Sequence, residues 1–555
     1  MSKLLLKNGT IFDPFNNIAG EIKDILIEEG KIVEKFSNEK DVKEIDGKNK
    51  TIIPSAIDIH SHIASQQLSW IRLLGTKNAK FKQEWKGLTF ENIAKSYISN
   101  GFTFIVEANV FPSLVKQTIF NLKQIPVIDK AMLLNLSNYW PLELEFQRGM
   151  EEEATIFLSD LLDKTKGFGF KVYNPFEAEN WNFQKLRENL SQKGRLYNFN
   201  PIDIYEKFVR YNEKLRLPHS IHAHIEGYEN IEGKKNLNLL LDKIQSLELS
   251  PISDKTSKFE KNQIFHLAHA SSYNIDGDND NILSLLNSND KFDLDLGFCG
   301  FNEINPLITN DRRLINSLQI NVNTHKLIRS AVEFEGDTFA TFRNFDKKNK
   351  IHCNIWANAL DLALNIKNMW QMQFSINFPN YAMVEDIPEI ITWLISKEAR
   401  ANFMKNLNQE SLKNHNLNNS NKELNFNDIV ILSRSSPAKS LGIGFYKGNL
   451  GIGSDGDLNI LDININEINL SKEYKKLASS LRNIEFVIKD GEIIKKGSNF
   501  NLKNNGKLFW SKGRTKIEKK PSVINKKEEF FQKYYSIFYD TMKYELPTNF
   551  LREIQ

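Results

Sequence analysis

Five short apolar runs punctuate the chain between residues 102 and 272: "FTFIVEANV" (102–110), "PVIDKAMLLNLS" (126–137), "GFGFKVY" (167–173), "PHSIHAHI" (218–225) and "QIFHLAHASS" (263–272). The intervening stretches, such as 151–164 and 202–216, carry apolar residues at helical spacing. A strand that is apolar on both faces needs cover on both faces. Repeated strand–helix units supply it by wrapping a parallel sheet in helices. The pattern therefore predicts the α/β class and a parallel barrel over residues 54–427, with any site at the C-terminal ends of its strands.

Both ends of the chain have a different texture. "KLLLKNG", "IKDILIEEGKIVEKF" and "TII" are short strands punctuated by Asn8-Gly9 and Glu29-Gly30. The same alternation returns in "GNLGIGSDGDLNILDI" (448–463) and in "IEFVIKDGEIIKKG" (484–497) around Asp490-Gly491. One small β-domain assembled from residues 1–53 and 428–500 is the simplest reading. The Asn-rich stretch 406–427 reads as a surface linker. Residues 501–555, with "KKEEFFQKYYSIFYDTMKYE", read either as a tail for docking other subunits or as an extension packed on its own barrel.

Composition narrows the partners. A net charge of +4 is spread over 73 basic and 69 acidic side chains, with no basic block interleaved with aromatics, so nucleic acid is not expected. The two cysteines, Cys299 and Cys353, make neither a disulfide framework nor a thiolate metal site, and the expected setting is the reducing cytoplasm. Neither a signal-peptide core nor a membrane-length apolar window is read.

Seven of the ten histidines fall in or beside predicted strands: His60 and His62; His219, His222 and His224; His266 and His269. His325, His352 and His415 are scattered. In "AIDIHSHIAS" (56–65), strand alternation puts both imidazoles of His60 and His62 on one face, where they form either a metal-binding pair or a hydrogen-bonded one. Lys171, inside "GFGFKVY", is an ammonium in an apolar strand. It reads as a snorkelling lysine or as a lysine carbamate bridging two cations.

These residues resemble the amidohydrolase superfamily, and more closely the A subunit of formylmethanofuran dehydrogenase, whose homologue serves the formyltransferase/hydrolase complex of methylotrophic bacteria. The likeness runs through "AIDIHSHIA", "GFGFKVYNPFEAENW", "LPHSIHAHIEG", "FHLAHASSY", "MWQMQFSINFPN", "SSPAKSLGIG" and "GNLGIGSDGDLNILDI". It implies a (β/α)8 barrel of the metal-dependent hydrolase type, two zinc ions and a CO2-derived carbamate. The implied ligands are His60, His62, carboxylated Lys171, His224 (with His222 as second choice) and His269. His266 is assigned to the core and His219 to support of its strand.

The implied reaction is hydrolysis of an N-formyl amine, such as formyl-methanofuran or an analogue, to formate and free amine within one-carbon metabolism. Implied partners are a formyltransferase and the other subunits of such a complex. A redox role would need metal centres on other chains, so the hydrolase role is favoured. One departure stands out. The last-strand Asp that shuttles the proton in the family aligns with Asn377, and its neighbouring His aligns with Phe378. Either another group serves, Asp386 or Glu385 being candidates, or the chain is an impaired homologue acting as a scaffold. A second departure is "IASQQLSW", which lacks the glycines that follow the dyad in relatives. A cyclic-amide hydrolase of the dihydropyrimidinase type is a further alternative.

Overall fold

The computed structural model describes residues 3–75, 88–182, 189–195, 199–249, 261, 263–302, 304–318, 328–332, 335–415, 417, 420–514 and 521–554. His325 lies outside them. The chain opens with β1 (Lys3–Asp13), β2 (Ile18–Glu28), β3 (Lys31–Val33), β4 (Val42–Asp46) and β5 (Thr51–Pro54). It continues into β6 (Ala56–Ser61), β7 (Phe102–Val110), β8 (Asp129–Asn135), β9 (Gly169–Tyr173), β10 (Ile221–His224), β11 (Phe265–Leu267) and β12 (Phe292–Asp295). An excursion, β13 (Asn305–Thr309), β14 (Ile328–Val332) and β15 (Gly336–Arg343), precedes β16 (Met372–Gln373). The chain then gives β17 (Leu458–Leu461), β18 (Phe486–Lys489), β19 (Glu492–Lys496), β20 (Asn499–Phe500), β21 (Leu508–Ser511) and β22 (Leu551–Ile554).

Strands β6 to β12 and β16 pair in parallel, each with the next, and form the expected eight-stranded barrel. A parallel bridge between Ser61 and Phe378 all but closes it, with the His62 amide donating to the Phe378 carbonyl at 2.8 Å. The predicted run 102–110 is β7 itself, and the predicted helices 151–164 and 202–216 are Glu151–Thr165 and Pro201–Lys214.

The end sheet is also as expected. N-terminal β5 pairs antiparallel with β17, and one apolar cluster draws Leu4, Leu6, Ile25 and Ile52 from the start of the chain and Leu458, Ile460, Phe486 and Ile488 from its end. Buried Lys447 joins the two bodies, reaching Asp129 of β8 at 2.7 Å and Asp457 beside β17 at 2.7 Å.

The lower barrel interior is filled by Ile57, Ile59, Phe104, Val106, Ala131 and Leu133, and Phe509 and Ile554 from the last two strands join the same cluster. β21 slots against the first half of β8, where any Cβ at Gly506 would collide with the Ile128 carbonyl. The stretch after residue 500 is thus woven into its own barrel, with Trp140 packed against Phe530 and Lys527 2.5 Å from Glu145. Leu407, Leu412 and Leu417 of the Asn-rich stretch are buried, which anchors it to the barrel. Among the described residues no helix is long and apolar enough to cross a membrane.

Candidate metal centre

At the C-terminal ends of the strands the barrel filling turns polar. His60, His62, Lys171, His224, His269 and Asn377 all line one pocket, with Tyr173, Tyr228, Asn109 and Asn380 around them. His222 does not line it. His60 and His62 share one face, as alternation requires, but the register of β6 on β7 slips between Asp58 and Ser61. Ile59 packs in the barrel interior while the next residue, His60, also faces the pocket, as a bulge permits. Across the neighbouring strands, Lys171, His222, His266 and Asp293 sit in one continuous row of paired residues, with Tyr173 and His224 paired one step higher.

The distances are short. Nε2 of His60 lies 3.3 Å from Nζ of Lys171, and the His224 and His269 ring centroids are 4.5 Å apart. His60 and His269 stand 5.3 Å apart, His60 and His62 5.6 Å. His222 points below the pocket floor, its Nε2 3.0 Å from Nδ1 of His60.

Burial dominates the electrostatics. It drives the His60, His222 and His224 imidazoles well below their ordinary pKa and takes His269 to about 3, so all four are neutral near pH 7. The Lys171 amine is brought down to about 7 by the same desolvation, against the pull of Asp295 and Glu107. His266 is the exception. Burial would lower it too, but Asp293 and Asp295, 3.0 and 3.1 Å from its two nitrogens, outweigh burial and raise it to about 9. It is an imidazolium clamped between two carboxylates.

Each pocket residue is held from behind. Glu107 accepts three consecutive amides, from Ile63, Ala64 and Ser65 at 2.8, 2.7 and 3.0 Å, and so fixes the turn after His62. Asp58 accepts the His60 amide at 3.0 Å and the Tyr97 hydroxyl at 2.7 Å. His269 takes the left-handed conformation, φ 34°, at the end of its strand; its amide donates to Asp295 at 2.9 Å and its Nδ1 is 3.1 Å from the Ser272 hydroxyl. Gly297 makes room for it, since a Cβ there would strike the His269 Cβ. His224 Nδ1 is 3.0 Å from the Asn174 amide oxygen.

Asn377, also left-handed at φ 44°, turns its amide into the pocket, and its Oδ1 accepts from Asn380 at 3.2 Å. Phe378 faces away and packs edge-on against Tyr97 at 5.6 Å. Neither substitute suggested for the missing Asp reaches the pocket. Asp386 accepts the Met383 amide and the Asn302 side chain at 2.8 and 2.7 Å, and Glu385 accepts from Ser96 at 2.5 Å.

The amidohydrolase family profile matches residues 338–495, which include the last barrel strand and the return into the end sheet. The chain is 26% identical over 547 residues to the protein FwdA of Methanocaldococcus jannaschii, covering 96% of this chain and 95% of that one. It is 22% identical over 515 residues to the A subunit of the formyltransferase/hydrolase complex Fhc of Methylorubrum extorquens, covering 88% and 89%. The crystal structure of that complex with methylofuran has a chain that superposes with a TM-score of 0.86 at 21% identity, over 100% of this chain and 99% of that one. Over residues 338–495 the chain is thus similar in sequence to the amidohydrolase family, and its fold is that of the Fhc chain.

The residues of this pocket fit a bound cation. Three buried imidazoles of the pocket, His60, His224 and His269, are neutral, as a metal ligand must be, and burial favours the uncharged amine of Lys171 that carbamate formation needs. The buried Nδ1 of His62 makes no hydrogen bond, with Glu107 Oε1 3.6 Å away. Sequence reasoning missed two residues that support this pocket. Asp295 gathers His60, His266, His269 and Ser375 around one carboxylate. The signal was present in "FDLDLG" (292–297), where two acids alternate with apolar residues up to a glycine. Glu107 was visible as the acid inside "FTFIVEANV".

Proposed function

We propose that this chain is a metal-dependent hydrolase that cleaves the N-formyl group of a formylated furan amine, formyl-methanofuran or an analogue, to formate and the free amine, beside a formyltransferase and its companion subunits in the cytoplasm. The observation that carries the reading is the convergence of His60, His62, Lys171, His224 and His269 on one pocket at the strand ends, in a chain similar nearly end to end to FwdA and to its Fhc counterpart. These five residues would hold two zinc ions, with Lys171 carrying the carbamate. Bound there, such a pair of cations supplies Lewis acidity to the formyl oxygen and to the attacking water.

The chain's own residues set the rest. Neutral imidazoles leave their lone pairs free, and Tyr173 and Tyr228, whose hydroxyl pKa values burial raises, stay protonated near pH 7 and line the same pocket with Thr309. Asn377 orients by hydrogen bonding but takes no proton, because an amide has no basic atom near neutral pH. Missing general acid–base assistance costs on the order of 10² to 10⁴ in rate.

That same amide supports a second reading, in which the chain keeps its cations and serves as a scaffold for the complex. The deciding experiment measures zinc per chain after expression and reloading with CO2 supplied, together with formate released from a formylated furan amine. About two zinc ions with formate release bears out the hydrolase. About two zinc ions without formate, alone and with partner subunits, bears out the scaffold. A metal-free protein overturns both.

A further inference from the structure

Below the pocket floor three buried imidazoles are joined in series. His219, just ahead of β10, has Nδ1 2.9 Å from the Ser440 carbonyl oxygen and Nε2 3.2 Å from Nδ1 of His222. His222 Nε2 is 3.0 Å from Nδ1 of His60, and the remaining nitrogen of His60 is the one facing Lys171. A carbonyl oxygen only accepts, so His219 carries its proton on Nδ1. A neutral imidazole has a single N–H, which makes Nε2 of His219 an acceptor and obliges His222 to donate from Nδ1. The same step repeats at His60. The direction set at Ser440 is passed through two rings and leaves a lone pair on Nε2 of His60, aimed into the pocket. Asp295 Oδ2, 3.2 Å from the same His60 Nδ1, demands a proton at that atom too.

We propose that His219 and His222 are positioning residues: their imidazole relay, anchored on the Ser440 carbonyl, fixes the tautomer of His60 that presents Nε2 to a cation. The proposal rests on the metal-centre reading of the pocket. The alternative use of this layer, as an inner ion site, is disfavoured by the same bookkeeping of lone pairs. The ligand atoms of His219, His222 and His266 do lie within 4.8 Å of one another. Yet both nitrogens of His266 are taken by Asp293 and Asp295, and Nδ1 of His219 is taken by a carbonyl.

Two variants of the full-length chain separate the relay from mere filling of space. In H219Q the amide NH2 meets Ser440 and the amide oxygen accepts from His222, so the direction survives and zinc affinity stays at the wild-type value. In H219L nothing keeps the His222 N–H turned away from His60, so a proton on Nε2 of His222 competes with Asp295 over the His60 tautomer, and zinc affinity falls about 10- to 100-fold, as when a residue supporting a ligand is removed. Equal affinities in the two variants overturn the proposal. Neutron diffraction from wild-type crystals stripped of metal reads the tautomers directly and does not depend on the variants folding. Deuterons on Nδ1 of His219, His222 and His60 bear the relay out. A deuteron on Nε2 of His222 or His60, or an ion lodged between His60, His222 and Asp295, refutes it. If the wild-type chain takes up no zinc, the functional reading fails, while the deuteron positions still decide the relay.

Discussion

Nε2 of His60, on the first barrel strand, and Nζ of Lys171, on the fourth, approach to 3.3 Å although 111 residues separate them in the chain. Both are buried, and burial lowers the amine to about 7. Below that value it is an ammonium with no lone pair to attack CO2, and above it the free amine predominates. CO2-dependent zinc uptake by the stripped protein should therefore rise as pH passes through about 7. Lys171→Met should hold at most one zinc per chain and show no CO2 dependence. Metal analysis after reloading at several pH values checks both, and uptake that is as CO2-dependent at about pH 5 as at about pH 8 would contradict the assignment.

Asn377 places an amide where the family's proton shuttle is expected, and its left-handed backbone already aims the side chain into the pocket. Asn377→Asp keeps the shape and adds a basic oxygen. Formate release from the formylated furan amine should increase by roughly 10² to 10⁴ if proton transfer limits the rate. An unchanged or lower rate with full zinc content would mean that the chain handles the proton elsewhere.

Much of this was legible in the sequence, and the remainder fails for identifiable reasons. The buried parallel strands announce themselves as apolar runs, and β7 coincides with its predicted bounds, the chain turning into a short helix at Pro112. His60, His62, Lys171, His224 and His269 stood out as polar groups in apolar surroundings, and the fold gathers them in one pocket. The bulge in β6 was invisible, because a slip of register depends on the partner strand. The four-residue β12 was passed over because half of it is acidic, although its alternation of acids with apolar residues was there to read, and with it went Asp295. In the excursion β13 pairs antiparallel with β15 across the intervening β14, a pairing that local periodicity does not register. The relay from Ser440 joins three regions of sequence through hydrogen bonds that only the assembled barrel brings together.

His266 holds two buried carboxylates together. Replacing it with leucine leaves Asp293 and Asp295 buried without their cation and should destabilise the fold by roughly 3–5 kcal/mol. Its pH signature has a definite sign. The folded pKa of about 9 lies above the unfolded value near 6.5, so this stabilisation is complete below about 6.5 and disappears as pH rises through about 9. Denaturant titrations of wild type and His266→Leu should converge toward the alkaline end. A gap that stays constant from about pH 6 to about pH 10 would show that the ring is neutral in the fold.

The neutral imidazoles act at the other end of the scale. His60, His219, His222, His224 and His269 all have folded pKa values pushed down by burial, to about 3 for His219 and His269. In the unfolded chain each binds a proton near pH 6.5, while in the fold each resists it, so the unfolded state gains protons first as pH falls. Each residue then contributes a slope of about 1.4 kcal/mol per pH unit, with stability falling on acidification below about 6.5. The metal-free chain should lose stability steeply between about pH 6.5 and about pH 5, well above the range where ordinary carboxylates titrate. Bound zinc should shift the midpoint to lower pH, because protons and cations compete for the same lone pairs. Urea midpoints measured with and without zinc across that interval test the point: a metal-free midpoint that is flat there would require these rings to be protonated or exposed, and the centre would lose the lone pairs on which cation binding depends.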